Sequence, residues 1–260
     1  MNIIVCIKQV PDTSDIKWTE NNTIQREGLE SVMNPYDAYA LDAALLIKKN
    51  LSNVTVTAIS MGPKQAEKVL KRALALGADK AVLLSDKKFS GADTYATAKT
   101  ISAAIKTMNE PYDLILCGQF AVDGDTAQTG PSIASFLDMP QVTFAKEIID
   151  FKKDYLTVKR VTSEGCETVK VKLPAAVCMI KGENDPSRAT INGVIKANKA
   201  TILMKGLDDI TLSADDVGLK GSPTYVSKAF RAKTRVVDCD FVDNAETLAE
   251  IIWTCGGNDE

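Results

Sequence analysis

The sequence predicts an α/β protein: a mostly parallel, doubly wound sheet, an added antiparallel meander, and a C-terminal arm ending in a helix. Three observations carry this prediction. Short apolar runs alternate with segments of helical periodicity from Asn2 to Leu137, the order that builds a parallel sheet with helices on both faces. Between Val142 and Met179 the helical segments give way to strand-like runs joined by short turns. From Thr201 the chain is polar and broken by Gly206, Gly218, Gly221 and Pro223. The expected division is an α/β domain over residues 1–200 and an arm over 201–260.

The elements follow in order. Asn2-Ile3-Ile4-Val5-Cys6-Ile7-Lys8-Gln9-Val10 is an apolar run such as a central parallel strand shows, and Pro11 ends it. Residues 11–33 are polar and irregular, a long loop with a short strand pair. Asn34-Pro35 opens a helix, with Asn34 suited to the cap and Pro35 to the first turn. Ala40, Leu41, Ala44 and Leu45 continue it at helical spacing toward Asn50. Val54–Ser60 is the next strand. Met61-Gly62-Pro63 turns into a helix carrying Val69, Leu70, Ala73, Leu74 and Leu76, which Gly77 stops. Lys80–Leu84 is a strand, and Tyr95–Met108 a helix led by Ser90-Gly91-Ala92-Asp93-Thr94. Leu114–Cys117 is a strand, and Ser132–Leu137 fits a helix. Val142–Ile148, Tyr155–Val161, Glu167–Lys172 and Ala175–Met179 read as the strands of the meander. A short helix starts near Ile191, and an amphipathic one spans Asn244–Trp253. Its Leu248, Ile251, Ile252 and Trp253 find no obvious partner in so polar a tail; they either reach another subunit or pack back on their own domain.

Composition narrows the function. At 260 residues with 45% hydrophobic content the chain can bury a substantial core. A net charge of −3 gives no ground for a nucleic-acid or general membrane partner. The basic cluster Lys228, Arg231, Lys233 and Arg235 lacks interleaved aromatics and reads as a solvated face or partner contact. No apolar stretch approaches a membrane span. A strand-like run directly after Met1 leaves no signal-peptide pattern, so a cytoplasmic location is expected. There are no histidines, which excludes Ser-His-Asp and Cys-His catalysis within this chain. The six cysteines, Cys6, Cys117, Cys166, Cys178, Cys239 and Cys255, contain no C-x-x-C and do not read as metal ligands; Cys6, Cys117 and Cys178, in apolar strand-like runs, read as core residues in a reducing compartment. No side chain stands out as a catalytic acid or base.

The segment Gly118-Gln119-Phe120-Ala121-Val122-Asp123-Gly124-Asp125-Thr126-Ala127-Gln128-Thr129-Gly130 carries the most chemistry. It leaves the carboxyl end of a strand and enters a helix, the place where open α/β sheets bind ligands. Its glycines let backbone approach a ligand. Free N–H groups at the helix start attract phosphate, and Asp and Thr side chains suit ribose hydroxyls. The spacing is neither G-x-G-x-x-G nor a Walker loop, and the later oxygen ligands of a calcium loop are missing. These residues alone leave two readings: a nucleotide site of unspecified kind, or a tight strand–helix turn with no ligand.

Several landmarks in order are more specific than any one of them. They are Val5-Cys6-Ile7-Lys8-Gln9-Val10, Met33-Asn34-Pro35-Tyr36-Asp37, Ser60-Met61-Gly62-Pro63, Ala73-Leu74-Ala75-Leu76-Gly77-Ala78-Asp79, the Gly118–Gly130 segment, Lys172-Leu173-Pro174-Ala175 and Asn184-Asp185-Pro186. On these the chain resembles the β subunit of electron-transfer flavoproteins over nearly its whole length. One departure is Thr162-Ser163-Glu164-Gly165-Cys166-Glu167, where the family has an acid before a Gly-Gly pair. The resemblance implies a heterodimer with an α subunit, whose mobile FAD domain the arm at 201–260 would wrap. It implies a nucleotide site made by Cys6, Asn34, Pro35, Tyr36, Asp37, Met61 and Gln119–Gly130.

Within the family, Asp123-Gly124-Asp125-Thr126-Ala127-Gln128, Val10-Pro11-Asp12-Thr13 and Gly91-Ala92-Asp93-Thr94 resemble the electron-bifurcating group. That implies FAD at this site, with Asp93 and Thr94 added to its shell, where other members hold AMP. A missing acid beside a diphosphate removes like-charge repulsion, and a Thr94 hydroxyl at a helix start can donate to phosphate. By this resemblance NADH gives a hydride to the β-subunit FAD. One electron goes to ferredoxin or flavodoxin, the other through the α-subunit FAD to a flavin-dependent dehydrogenase. The alternative is a non-bifurcating carrier with structural AMP. In either case the chain is not an enzyme alone. Residues Ile180–Thr190 stand where the family has its partner-recognition loop. Members serving acyl-CoA dehydrogenases of the mitochondrial kind carry an exposed leucine before the Asn-acid-Pro element, and this chain has Glu183.

Overall fold

Strand residues that alternate between two buried faces build the centre of the molecule. In β1 (Asn2–Cys6) Ile3 and Val5 face one way and Ile4 the other; in β6 (Leu114–Gly118) Leu114 and Leu116 oppose Ile115 and Cys117. All are buried, as a parallel strand between two helical layers requires. The computed structural model describes residues 1–12, 31–108, 110–225, 242 and 244–255. They fall in two units, Met1–Ser227 and Lys228–Glu260.

The remaining strands of the first unit are β2 (Gln9–Pro11), β3 (Ser31–Met33), β4 (Thr55–Met61), β5 (Lys80–Leu84), β7 (Gln141–Phe151), β8 (Tyr155–Thr162), β9 (Gly165–Lys172), β10 (Ala175–Met179) and β11 (Leu203–Lys205). The large sheet runs β11-β5-β4-β1-β6-β10-β7-β8-β9, and β2 pairs with β3 separately and antiparallel. Every pair from β11 to β7 is parallel, while β7-β8 and β8-β9 are antiparallel. The fold is therefore the expected mostly parallel α/β sheet with an antiparallel extension.

Helices α1 (Pro35–Asn50), α2 (Glu67–Leu76) and α5 (Ile191–Lys199) cover one face, with Leu41, Leu70 and Ala197 in the same core as Ile3, Val5 and Leu116. Helices α3 (Thr94–Lys106) and α4 (Thr129–Phe136) cover the other, with Ile105 and Ile133 against Ile4, Ile59 and Ile115. Each such side chain contributes about 1.5–3 kcal/mol by leaving water. Gly77 ends α2 at φ +129, its N–H bonded to Ala73 and Leu74 carbonyls, a conformation that favours glycine. The second unit is described by α6 (Ala245–Cys255), with Leu248, Ile251, Ile252 and Trp253 exposed.

Three expectations change. Ala175–Met179 is not part of the meander: β10 is a central strand, parallel to both β6 and β7. All five of its residues are buried, the mark of a two-sided interior strand rather than a half-exposed antiparallel one. Leu203–Lys205, in a stretch read only as polar and broken, adds β11 to the edge beside β5. Helix α4 begins at Thr129, three residues before Ser132. The basic cluster at 228–235 and most of the loop after Pro11 lie outside the described residues.

Candidate functional site

The chain leaves β1 toward β4 and β5 on one side, then returns to β6 on the other side of β1. That reversal of strand order opens a crevice between the carboxyl ends of β1 and β6. The loop after Gly118 lies there.

A buried carboxylate ties the two strand ends together. Asp37, in the first turn of α1, accepts the Lys8 N–H at 2.6 Å through one oxygen and the Gly118 N–H at 3.1 Å through the other. It is 6% exposed. Burial pushes its carboxyl up to about 7, against the N–H donors of Lys8, the Asn34 side chain and Gly118, which favour the charged form. Gly118 is required there: a Cβ would run into Asp37 Oδ1 and Tyr36 Cβ.

Asn34 stands at the cap position of α1, yet its side chain makes no cap bond. It spans to the loop instead. Its amide donates to the Phe120 carbonyl at 3.0 Å, and its Oδ1 accepts the Val122 N–H at 3.2 Å. The Tyr36 and Phe120 rings meet at 4.2 Å. Asn34, Tyr36 and Asp37 thus shape the first half of the loop from below. Pro35 is the first residue of α1.

The second half is open. Ala121 O accepts from Gly124 N and Asp125 N, closing a turn around Val122 and Asp123. Asp125 and Ala127 hold φ +47 and +55, a left-handed backbone that is uncommon outside glycine and clusters at functional sites. A Cβ on Gly124 would meet nothing within 4 Å, so backbone is bare at the loop's outer turn. Helix α4 then starts at Thr129 without a side-chain cap, leaving N–H groups for a ligand or solvent. Gly130 lets α4 close on β10 and β6, because a Cβ there would strike the Cys178 sulfur.

Cys6 ends β1 and Met61 ends β4, neighbours in the sheet. Thr94 Oγ1 reaches Gln128 Oε1 at 3.0 Å, which joins the start of α3 to the loop. Asp93, next to it, has partners of its own. Its carboxylate caps α3 through Ala96 N–H and accepts the Thr224 N–H and hydroxyl. Partial burial works to raise its pKa, but these donors outweigh it and hold the group below the usual carboxylate range. Cys117 and Cys178 stand opposite each other on β6 and β10, buried, with thiol pKa values well above the ordinary value. For Cys117 the Cys178 thiol pulls the other way, and contact with Cys6 and burial prevail. These are core thiols and not nucleophiles.

Two residues escaped the sequence reading. Lys8 Nζ pairs with Asp123 Oδ1 at 2.6 Å; a lysine breaking an apolar run at a strand's carboxyl end was its signal. Phe144, at φ +54, lies where β7 bulges against β10, and its N–H is held at 2.5 Å by the side chain of buried Gln119. No residue pattern announces that bulge.

A doubly wound sheet with such a loop at its reversal point defines the α/β class in which nucleotides bind at the strand ends. The family model described as "Electron transfer flavoprotein domain" matches residues 21–204. The chain is 46% identical over 228 residues to an electron transfer flavoprotein subunit beta of Thermoanaerobacterium thermosaccharolyticum, covering 87% of this chain and 86% of that one. It is 44% identical over 232 residues to the caffeyl-CoA reductase-Etf complex subunit CarD of Acetobacterium woodii (88% and 87%). It is 37% identical over 257 residues to protein FixA of Azotobacter vinelandii (95% and 90%). The chain belongs to the electron transfer flavoprotein β-subunit family.

Proposed function

We propose that this chain is the β subunit of an NADH-dependent, electron-bifurcating electron-transfer flavoprotein and that its crevice holds FAD. The observation that carries the reading is the open half of the loop: bare backbone at Gly124, left-handed Asp125 and Ala127, and the uncapped start of α4. A dinucleotide fits this donor set. Free N–H groups at α4 suit phosphate, and Asp125 and Thr126 suit hydroxyls. Cys6, Asn34–Asp37, Met61, Thr94 and Gln119–Gly130 would hold the group, with Asp93 supporting the start of α3. Bound there, a flavin supplies two-electron acceptance and one-electron release. The chain contributes position and electrostatics. NADH is the donor in this reading; ferredoxin or flavodoxin is one acceptor, and a flavin dehydrogenase, reached through the α-subunit FAD, is the other. In this reading the arm that meets the α subunit comes from the chain beyond β11 and the core residues Leu207, Ile210 and Val217, and the complex is cytoplasmic. The name of the similar subunit CarD, from a caffeyl-CoA reductase complex, supports a partner of the same general kind.

The test is the ligand content of the purified heterodimer, by extraction, visible spectrum and mass. Two flavins per dimer are expected; one flavin with AMP would replace this reading by that of a carrier with a structural nucleotide. Asp125→Gly should weaken ligand binding about tenfold, since it removes a carboxylate but keeps a residue suited to φ +47. Unchanged binding would remove Asp125 from the site.

Partner choice is read from the segment between β10 and α5. Glu183 is exposed there and pairs with Lys146 Nζ at 3.0 Å, which holds its carboxyl below the usual range. A charged pair does not enter an apolar pocket without loss of hydration. Glu183→Leu should leave the denaturant midpoint nearly unchanged, as for an exposed pair, while slowing electron transfer to the native dehydrogenase. Equal rates for both forms would show that this segment does not select the partner.

A further inference from the structure

Resting on the nucleotide reading of the crevice, we infer that Lys8 binds the ligand's phosphate and makes the site prefer nucleotides over nucleosides. With N–H groups free for phosphate at the start of α4 and Asp125 left for hydroxyls, Asp123 is the loop carboxylate that a phosphate would meet beside Lys8, and unpaired it would repel the anion. Among the described residues the Gly118–Gly130 loop has one ion pair, Lys8 with Asp123. Lys8 is well fixed for the task. Its N–H is anchored on buried Asp37, and its carbonyl accepts the Asn34 N–H at 2.9 Å. Its stem leaves the carboxyl end of β1 directly at the crevice, and its ammonium lies 2.6 Å from Asp123 Oδ1. The Lys8 side chain remains 48% exposed, whereas that of Asp123 is 18% exposed. The ammonium is therefore paired with the loop on a side chain that is still half open to solvent. An ammonium has three donors, so Lys8 can keep Asp123 and add a phosphate oxygen. The pair neutralises one carboxylate of the loop and presents a proton donor where the anion enters.

The experiment uses the full-length chain in complex with its α subunit, stripped of nucleotide and titrated by calorimetry with FAD, AMP and adenosine. The wild type should bind AMP more tightly than adenosine. Lys8→Gln should weaken AMP, and FAD if it binds, by about tenfold while leaving adenosine unchanged. Lys8→Arg should restore most of the loss. Raising salt should weaken AMP binding more in the wild type than in Lys8→Gln. FAD and AMP responding alike would assign the effect to phosphate. Equal loss for AMP and adenosine would make Lys8 a purely structural residue and overturn the inference, as would no loss at all. If the wild type binds none of the three, the nucleotide reading fails and the inference with it; that outcome is distinct from a failure confined to Lys8.

Discussion

Gly118→Ala is expected to destabilise the protein by about 3 kcal/mol, the upper part of the range for overpacking, and to abolish ligand retention. The added methyl would strike Asp37 Oδ1, Tyr36 Cβ and the Asp37 backbone nitrogen together. Backbone cannot step aside as the end of a flexible side chain can. The same substitution would push Gly118 N–H off its 3.1 Å bond to Asp37, leaving a buried acceptor short of a partner. Gly124→Ala is the control. Nothing lies within 4 Å of its added carbon, so stability should change by no more than about 0.5 kcal/mol. Denaturant midpoints of the two variants measure the contrast. Equal midpoints would mean that the end of β6 is not packed on α1.

The second large effect is on pH dependence. Asp37 has a folded pKa of about 7 against an ordinary 3.8, because burial opposes its charge. The folded protein thus holds this proton more tightly than the unfolded chain. The group's contribution is full below about pH 4, falls as pH rises toward 7, and is constant above. A shift of this size corresponds to roughly 4 kcal/mol across the window. Asp216 behaves oppositely: the Lys99 ammonium and Ser213 hold its carboxyl well below the usual range. Its contribution is present above about pH 4 and lost only in stronger acid. The two windows therefore separate. Asp37→Asn should flatten the decline between pH 4 and 7 at a constant cost of about 1–3 kcal/mol, because an amide cannot accept from both Lys8 and Gly118. Urea unfolding at several pH values reads the slope. A slope shared by both proteins would place the Asp37 titration at its ordinary value.

The architecture was legible where burial imposes a pattern. Apolar runs alternating with helical spacing signal the β-α order, and a glycine- and oxygen-rich turn after Leu114–Cys117 marks the crevice. Where short runs carry two meanings, sequence is less decisive. Ala175–Met179 follows three strands of the meander, so its neighbours suggested antiparallel pairing, although its continuous apolar character is that of β10's interior place. Leu203–Lys205 is too short to show a period. Asn34 was correctly placed at the start of α1, but no sequence signal distinguishes a capping amide from one that spans to residues 120 and 122. Such contacts join residues far apart in the chain, and so do Lys8 with Asp123 and Gln119 with Phe144. The site's residue types were readable; its cross-links were not.

The interior position of β10 also sets an order of events during synthesis. The Gly118–Gly130 loop is complete long before Ala175–Met179 emerges, yet Gln119 N–H bonds the Met179 carbonyl at 2.8 Å and Ile180 N–H bonds that of Ala145. Until residue 180 has cleared the ribosome, β6 has one parallel neighbour, and β7 must wait at a distance with space for another strand between them. A nascent chain halted at Phe151 would carry every residue of the loop without the wall that supports it. Ligand capture by chains arrested at increasing lengths should therefore begin after Ile180, not after Gly130.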